Sequence, residues 1–204
     1  MKNLNNYISE TEGVGAMKNQ PAYDKNGNYI GWLSRSIAVL NIVLGYKDVS
    51  SEEHRYFYGP AYKLFVLAGV RGQGTPDPEF VGAWNCTTGY LDYNETLVEA
   101  AKRETFEETG VDLTNEKTQF WCYNDDPKKD KRQNVTIRFY TLIKNPIDNI
   151  KFSHDNNEKD EVGDIKWIPY DEISKYRWAF NHDKLINQLV SEMNIERYKY
   201  GYKL

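Results

Sequence analysis

Residues 89–111, GYLDYNETLVEAAKRETFEETGV, wind an unusual density of acid around one short helix, and this restricts what the chain can become. At about 100° per residue, Glu104, Glu107 and Glu108 fall within an arc of about 100°, so three carboxylates share one stripe near the helix C-terminal end. The helix dipole is negative there and like charges three and four residues apart repel. A purely structural helix would therefore gain from Lys or Arg at these positions. A cation is expected to offset the cost. Hard divalent ions such as Mg²⁺ or Mn²⁺ take oxygen ligands and keep waters or substrate phosphates in their remaining positions, so they suit such a cluster. Glu95, Glu99 and Arg103 form a second stripe at i, i+4 and i+8, from which Arg103 can bridge Glu95 or Glu99 toward Glu107 and orient the acids.

The same helix has an ordinary side. Leu97, Val98, Ala101 and Thr105 span an arc of about 100°, the amphipathic stripe that docks a helix on a sheet. Asp92 and Asn94 are candidate N-caps, and Gly110 supplies a left-handed stop. Periodicity alone also allows a solvated acidic face.

The segment resembles the signature of the Nudix hydrolases, G-x₅-E-x₇-R-E-U-x-E-E-x-G-U, where U is aliphatic. Gly89, Glu95, Arg103, Glu104, Glu107, Glu108 and Gly110 occupy every fixed position and Val111 the last apolar one. Two departures stand out. Thr105 replaces an aliphatic residue, and the approach through residues 85–88, NCTT, lacks the Pro-Gly often found there. The resemblance implies an α+β fold, a Nudix-type α/β/α sandwich with a mixed β-sheet. It also implies metal-assisted hydrolysis of a nucleoside diphosphate linked to another group, X. By carry-over, Glu104, Glu107 and Glu108 bind Mg²⁺ or Mn²⁺ with help from the Gly89 carbonyl, while Glu95 and Arg103 hold the constellation together. The general base is Glu104 in some members and a loop acid before a later strand in others. Here the second choice is Glu161, favoured over Glu158 in residues 154–161 because the sequence from Glu161 to Trp167 looks like the family's late acidic element.

Composition agrees with one such domain. A chain of 204 residues with 40% hydrophobic and 27% charged residues can bury a core of its own. The net charge of −4 argues against nucleic-acid binding through a broad basic surface. No apolar run is long enough to span a bilayer and the first residues carry no signal core, so a soluble cytoplasmic protein is expected. Cys86 and Cys122 lack metal-type spacing and fit free thiols in a reducing compartment. Residues 1–27 read as an extension, 28–194 as the Nudix domain and 195–204 as a tail. Within these, residues 24–28 form a turn between short strands. Residues 37–44, 63–70, 84–86, 119–123, 134–143 and 164–168 read as strands, 170–175 as a short helix and 181–194 as an amphipathic helix. The N-terminal segment and exposed strand edges allow a homodimer, as related ADP-ribose enzymes pair through such segments.

Substrate choice must come from outside the box. Pro127, sixteen residues after Val111, matches a feature of ADP-ribose pyrophosphatases in the family. Residues 125–132, DDPKKDKR, resemble the DP-x-x-DPR element of ADP-ribose and NAD-related members, and residues 178–183, WAFNHD, resemble their LAFDH element. In that element His182 is a candidate pocket residue. Trp84 and Tyr90 could stack on a base, and Arg35 and Arg71 could meet phosphate or ribose. Three functions compete. One is a pyrophosphatase of ADP-ribose or a related nucleoside diphosphosugar, and another is a housecleaning pyrophosphohydrolase of (d)NTPs or dinucleotides. The third is a non-catalytic sensor akin to regulators of NAD metabolism. The complete box, and the lack of room for a DNA-reading domain after residue 191, weigh against the sensor.

Overall fold

The computed structural model describes residues 20–33, 35–48, 62–126, 128, 134–143 and 162–193. The chain divides into two compact units, Met1–Ser36 and Ile37–Leu204.

In the first unit, β1 (Gln20–Tyr23) and β2 (Tyr29–Leu33) pair antiparallel. The turn between them is chemically determined. Asp24 Oδ1 accepts from the backbone of Asn26 and Asn28, both at 2.8 Å, and Gly27 takes φ 85°. The strand at residues 29–33, assigned from sequence to the main domain, falls in this unit because its partner is β1. Arg35 lies here too.

The second unit is built on β3 (Ile37–Asp48), whose run IAVLNIVLG is buried on both faces from Val39 to Gly45. A strand apolar on alternate and intervening positions needs cover on both sides. It receives that cover. One face, with Leu40, Ile42 and Leu44, packs with Val66, Ala68, Tyr140 and Ile168. These residues come from β4 (Tyr62–Arg71), β8 (Val135–Ile143) and β9 (Val162–Pro169). Helix α2 (His182–Glu192) closes that face with Ile186, Leu189 and Val190. On the other face, Val39 meets Ala100, Ala101 and Phe139. Those alanines belong to helix α1 (Leu97–Thr109). Val43 and Leu67 meet Val111 and Leu113 beyond it.

β3 pairs antiparallel with β4 at one end and with β6 (Thr87–Tyr90) at the other, and parallel with β8 along its length. β5 (Trp84–Asn85) and β9 pair with β4, and β7 (Thr118–Asn124) forms the edge beyond β8. The result is the expected mixed sheet between helices. Among the described residues no helix is long and apolar enough to cross a membrane.

Candidate active site

Three short elements place the acidic helix. β6 carries Gly89 beside β3, the loop through residues 91–96 turns the chain, and α1 then runs back under the sheet. Its N-cap is Thr96, which forms a full capping box with Glu99. The expected caps are thereby corrected. Asp92 and Asn94 lie earlier in the loop, where Asn94 takes φ 68° and the Asp92 amide donates to Glu95 Oε1 at 2.7 Å. Glu99, engaged in the box, is not the partner of Arg103. Gly110 stops the helix at φ 72° as expected, its amide bonding the Phe106 carbonyl.

Arg103 is the hub. It forms a two-pronged bond to Glu95 through Nε at 3.0 Å and Nη2 at 2.8 Å, and Nη1 reaches Glu104 at 2.9 Å and Glu107 at 2.8 Å. Nη2 also donates to the Tyr90 carbonyl at 3.0 Å, tying the helix to the end of β6. The hydrogen bonds from Arg103 hold the Glu95 carboxyl below its ordinary 4.5, against the opposing pull of burial. Glu95 in turn does most to keep the guanidinium charged. Three carboxylates sharing one guanidinium still leave the cluster net negative.

Close packing explains the glycine at position 89. A Cβ there would stand 1.9 Å from the Glu104 carboxyl carbon, so only glycine lets the buried Glu104 side chain lie against this strand. The pairing of a bare backbone with a carboxylate, and the acid left over around Arg103, give an all-oxygen donor set. Such a set fits Mg²⁺ or Mn²⁺. Among the described residues no three acidic, histidine or cysteine side chains already converge on one point, because Glu104 and Glu107 both turn to Arg103.

The departure at Thr105 is compensated. Its hydroxyl, fully buried, donates to the Ala101 carbonyl at 2.7 Å, receives Asn41 Nδ2 at 3.1 Å and meets Thr87 Oγ1 at 3.0 Å. Asn41 Oδ1 accepts from Thr141 at 3.2 Å. A polar thread from β8 through β3 and β6 thus pins α1 beneath Gly89. The docking stripe differs from expectation in one member, since Ala100 is buried where Val98 is exposed.

Two candidate substrate residues are buried among the described residues. His182 is 3% exposed and its Nδ1 accepts from the Cys86 amide at 3.0 Å. Burial, then the charges of Arg138 and Arg71, lower it from 6.5 to about 3. Trp84 is 8% exposed, T-shaped against Tyr176, with the Lys166 ammonium 4.4 Å from its ring centre. Tyr90 remains accessible at 44%, its hydroxyl accepting from Asn134 at 3.2 Å. Arg71 pairs with Asp77 at 3.0 Å, bonds Thr75 and lies 5.1 Å from the Phe180 ring. Phe180 and Asn181, in the WAFNHD element, both take left-handed backbone at φ 53° and 57°, and Phe180 is 40% exposed. Such strain concentrates at functional sites. The Cys86 thiol is pushed up by burial, and secondarily by the charge of Glu108. Pro127 and Glu161 lie outside the described residues.

The NUDIX domain family matches the chain over residues 56–189. The chain belongs to that family. Membership places it among hydrolases of the pyrophosphatase type. This NUDIX chain is similar to nucleoside triphosphatase NudI of Enterobacter sp. (strain 638), at 27% identity over 114 residues, 56% of this chain and 77% of that protein. It is also similar to chloroplastic Nudix hydrolase 19 of Arabidopsis thaliana, at 30% identity over 95 residues, 45% of this chain and only 19% of that relative's length. The NUDIX domain of Shewanella oneidensis NrtR, solved in complex with ADP ribose, superposes with a TM-score of 0.59 at 21% identity, covering 84% of this chain and 94% of that one. At that identity the likeness shows the fold.

The sequence reading missed Asn41, Thr87 and Arg138. Asn41 carried a signal, a lone amide inside an apolar strand, which a buried position tolerates only with a partner.

Proposed function

We propose that this chain hydrolyses the pyrophosphate of a nucleoside diphosphate linked to X, with Mg²⁺ or Mn²⁺, and that ADP-ribose or a related nucleoside diphosphosugar is the substrate. The observation that carries this reading is the Arg103 fork, which holds Glu95, Glu104 and Glu107 around the Gly89 strand. Bound divalent ions would neutralise the diphosphate and polarise the phosphorus under attack. Glu104, Glu107, Glu108 and the Gly89 carbonyl are the residues to hold them. Water adds to one phosphorus, the bridging P–O bond breaks, and a carboxylate takes the proton from the attacking water, giving AMP and a sugar phosphate from ADP-ribose. Glu104, whose carboxyl lies against Gly89, is one candidate base, and Glu161 is the loop alternative. Glu95 and Arg103 are positioning residues. The WAFNHD element and the ADP ribose held by the NrtR domain favour the diphosphosugar, while the name of NudI favours a nucleoside triphosphate. A cytoplasmic homodimer completes the proposal.

A phosphatase-coupled screen of ADP-ribose, NADH, nucleotide sugars, dinucleoside polyphosphates and (d)NTPs with each metal tests it. Preference for dNTPs would sink the ADP-ribose assignment. E108Q, a near-isostere, is expected to lose at least about 100-fold in metal-dependent kcat while melting within a few degrees of wild type. Turnover at the wild-type rate would remove Glu108 from the metal site.

A further inference from the structure

β8 brings a cation, Arg138, into a place where no carboxylate of the described residues is paired with it. Arg138 stands in register with Leu40 of β3 on one side and Cys122 of β7 on the other, and Leu40 is in register with Thr88 of β6. Alternation along β8 puts Phe139 against α1 and Tyr140 in the cluster under α2, so Arg138 shares the α2-facing side with Tyr140. The Nε atom of Arg138 is buried and has no hydrogen-bond partner, and the contact made by Nη1 is the Cys122 sulfur at 3.8 Å, a weak acceptor. No carboxylate is paired with it among the described residues. A half-buried guanidinium held this way costs stability, and natural chains keep such costs where they serve a ligand.

Its position relative to the box is defined. Two strand spacings separate Arg138 from Thr88, the residue before Gly89, so the backbones lie about 10 Å apart. Between them the Cys86 amide donates to His182 Nδ1 at 3.0 Å, and the charges of Arg138 and Arg71 both act on that buried ring. Arg71 already has Asp77 against it, which leaves Arg138 as the uncompensated charge of the pair. A planar fork with free N–H groups matches phosphate better than it matches a base or a neutral sugar.

We propose that Arg138 receives a second anionic group of the substrate, a phosphate lying along the α2-facing side of the sheet away from the Glu104 carboxylate. This rests on the diphosphate reading above and narrows it to ligands that carry a further anionic group beside the one held at the box. Arg138 thereby sets which X the site accepts.

The test has two arms. Thermal melting in EDTA, at matched ionic strength with chloride as control, measures binding of inorganic pyrophosphate, inorganic phosphate and AMP to wild type, R138M and R138K. Wild type is expected to gain melting temperature with pyrophosphate, R138M to lose most of that gain, and R138K to keep part of it. Without ligand, R138M is expected to melt at or above wild type, because no ion pair is lost. In the kinetic arm, with Mg²⁺, R138M is expected to raise KM about tenfold or more while kcat changes by less than about threefold. An equal pyrophosphate response in R138M, a lower melting point with unchanged binding, or no response in wild type overturns the assignment. Should R138M fail to fold, R138K decides. If wild type hydrolyses no diphosphate at all, the proposed reaction fails and the melting arm still judges Arg138.

Discussion

Replacing Thr105 by valine sets the family pattern against this chain's own packing. An aliphatic residue is usual at that position of the box, so resemblance alone predicts that T105V is neutral or stabilising. The structure predicts the opposite. The Thr105 hydroxyl has one proton, given to the Ala101 carbonyl at 2.7 Å, so Thr87 is the donor in their mutual bond at 3.0 Å. With valine present, Thr87 can turn to the Asn41 carbonyl, 3.3 Å away. Asn41 Nδ2 loses its bond to the Thr105 hydroxyl, and Asn41 is 1% exposed. An orphaned buried donor costs about 1–3 kcal/mol, and the added methyl returns about 0.8 kcal/mol at best if it fits. The net is a loss of up to about 2 kcal/mol, or up to about 8 °C for a unit of this size.

The assay is urea and thermal unfolding of wild type, T105V, N41L and the double variant. Removing both polar partners leaves Thr141 free to rely on Thr118, 2.9 Å from it, so the double variant should recover much of what T105V loses. The expected coupling is about 1 kcal/mol or more. A T105V protein as stable as wild type, or strict additivity of the two changes, would show that the hydroxyl network contributes nothing and that Thr105 is a tolerated drift.

Two further outcomes follow from the site. G89A puts a methyl 1.9 Å from the Glu104 carboxyl carbon, so kcat/KM with Mg²⁺ should fall about 100-fold or more while the melting point moves only a few degrees. A rate within threefold of wild type would refute the close approach. His182 is held neutral when folded, lowered from 6.5 to about 3. The unfolded chain therefore takes up a proton that the folded one refuses, so this component of stability is complete above pH 6.5 and is lost as pH falls toward 3. In H182N, urea midpoints between pH 6.5 and 5 should flatten relative to wild type, and equal slopes would contradict the assignment.

Legibility followed the length scale of each interaction. The spacing of Glu95, Arg103, Glu104 and Glu107 was readable because their mutual bonds span at most eight residues, where helical period dictates proximity. The cap was misplaced for the same local reason. Asp92 and Asn94 have cap chemistry, but the loop must first bring Glu95 to Arg103, which moves the helix start to Thr96. Strands announced themselves by apolar runs, whereas the parallel pairing of β3 with β8 joins residues nearly a hundred apart and leaves no local trace. Trp84 and His182 looked like ligand residues because aromatic and imidazole groups suit ligands and supports equally well, and only burial separates the two roles.

That difference of scale bears on function. Hydrolysis of a diphosphate needs a few acids on one helix and one glycine opposite, so 23 consecutive residues can encode it. Selectivity needs groups that meet across the sheet face, and the group proposed for it here, Arg138, lies on β8 between β3 and β7. Arg138 shows the consequence. In sequence it is one cation in an alternating strand, and its lack of a paired carboxylate among the described residues is visible only once β3 and β7 flank it. Changes at such positions can therefore redirect the substrate while leaving every residue of the box in place, so R138M should alter preference among diphosphates far more than it alters the chemical step.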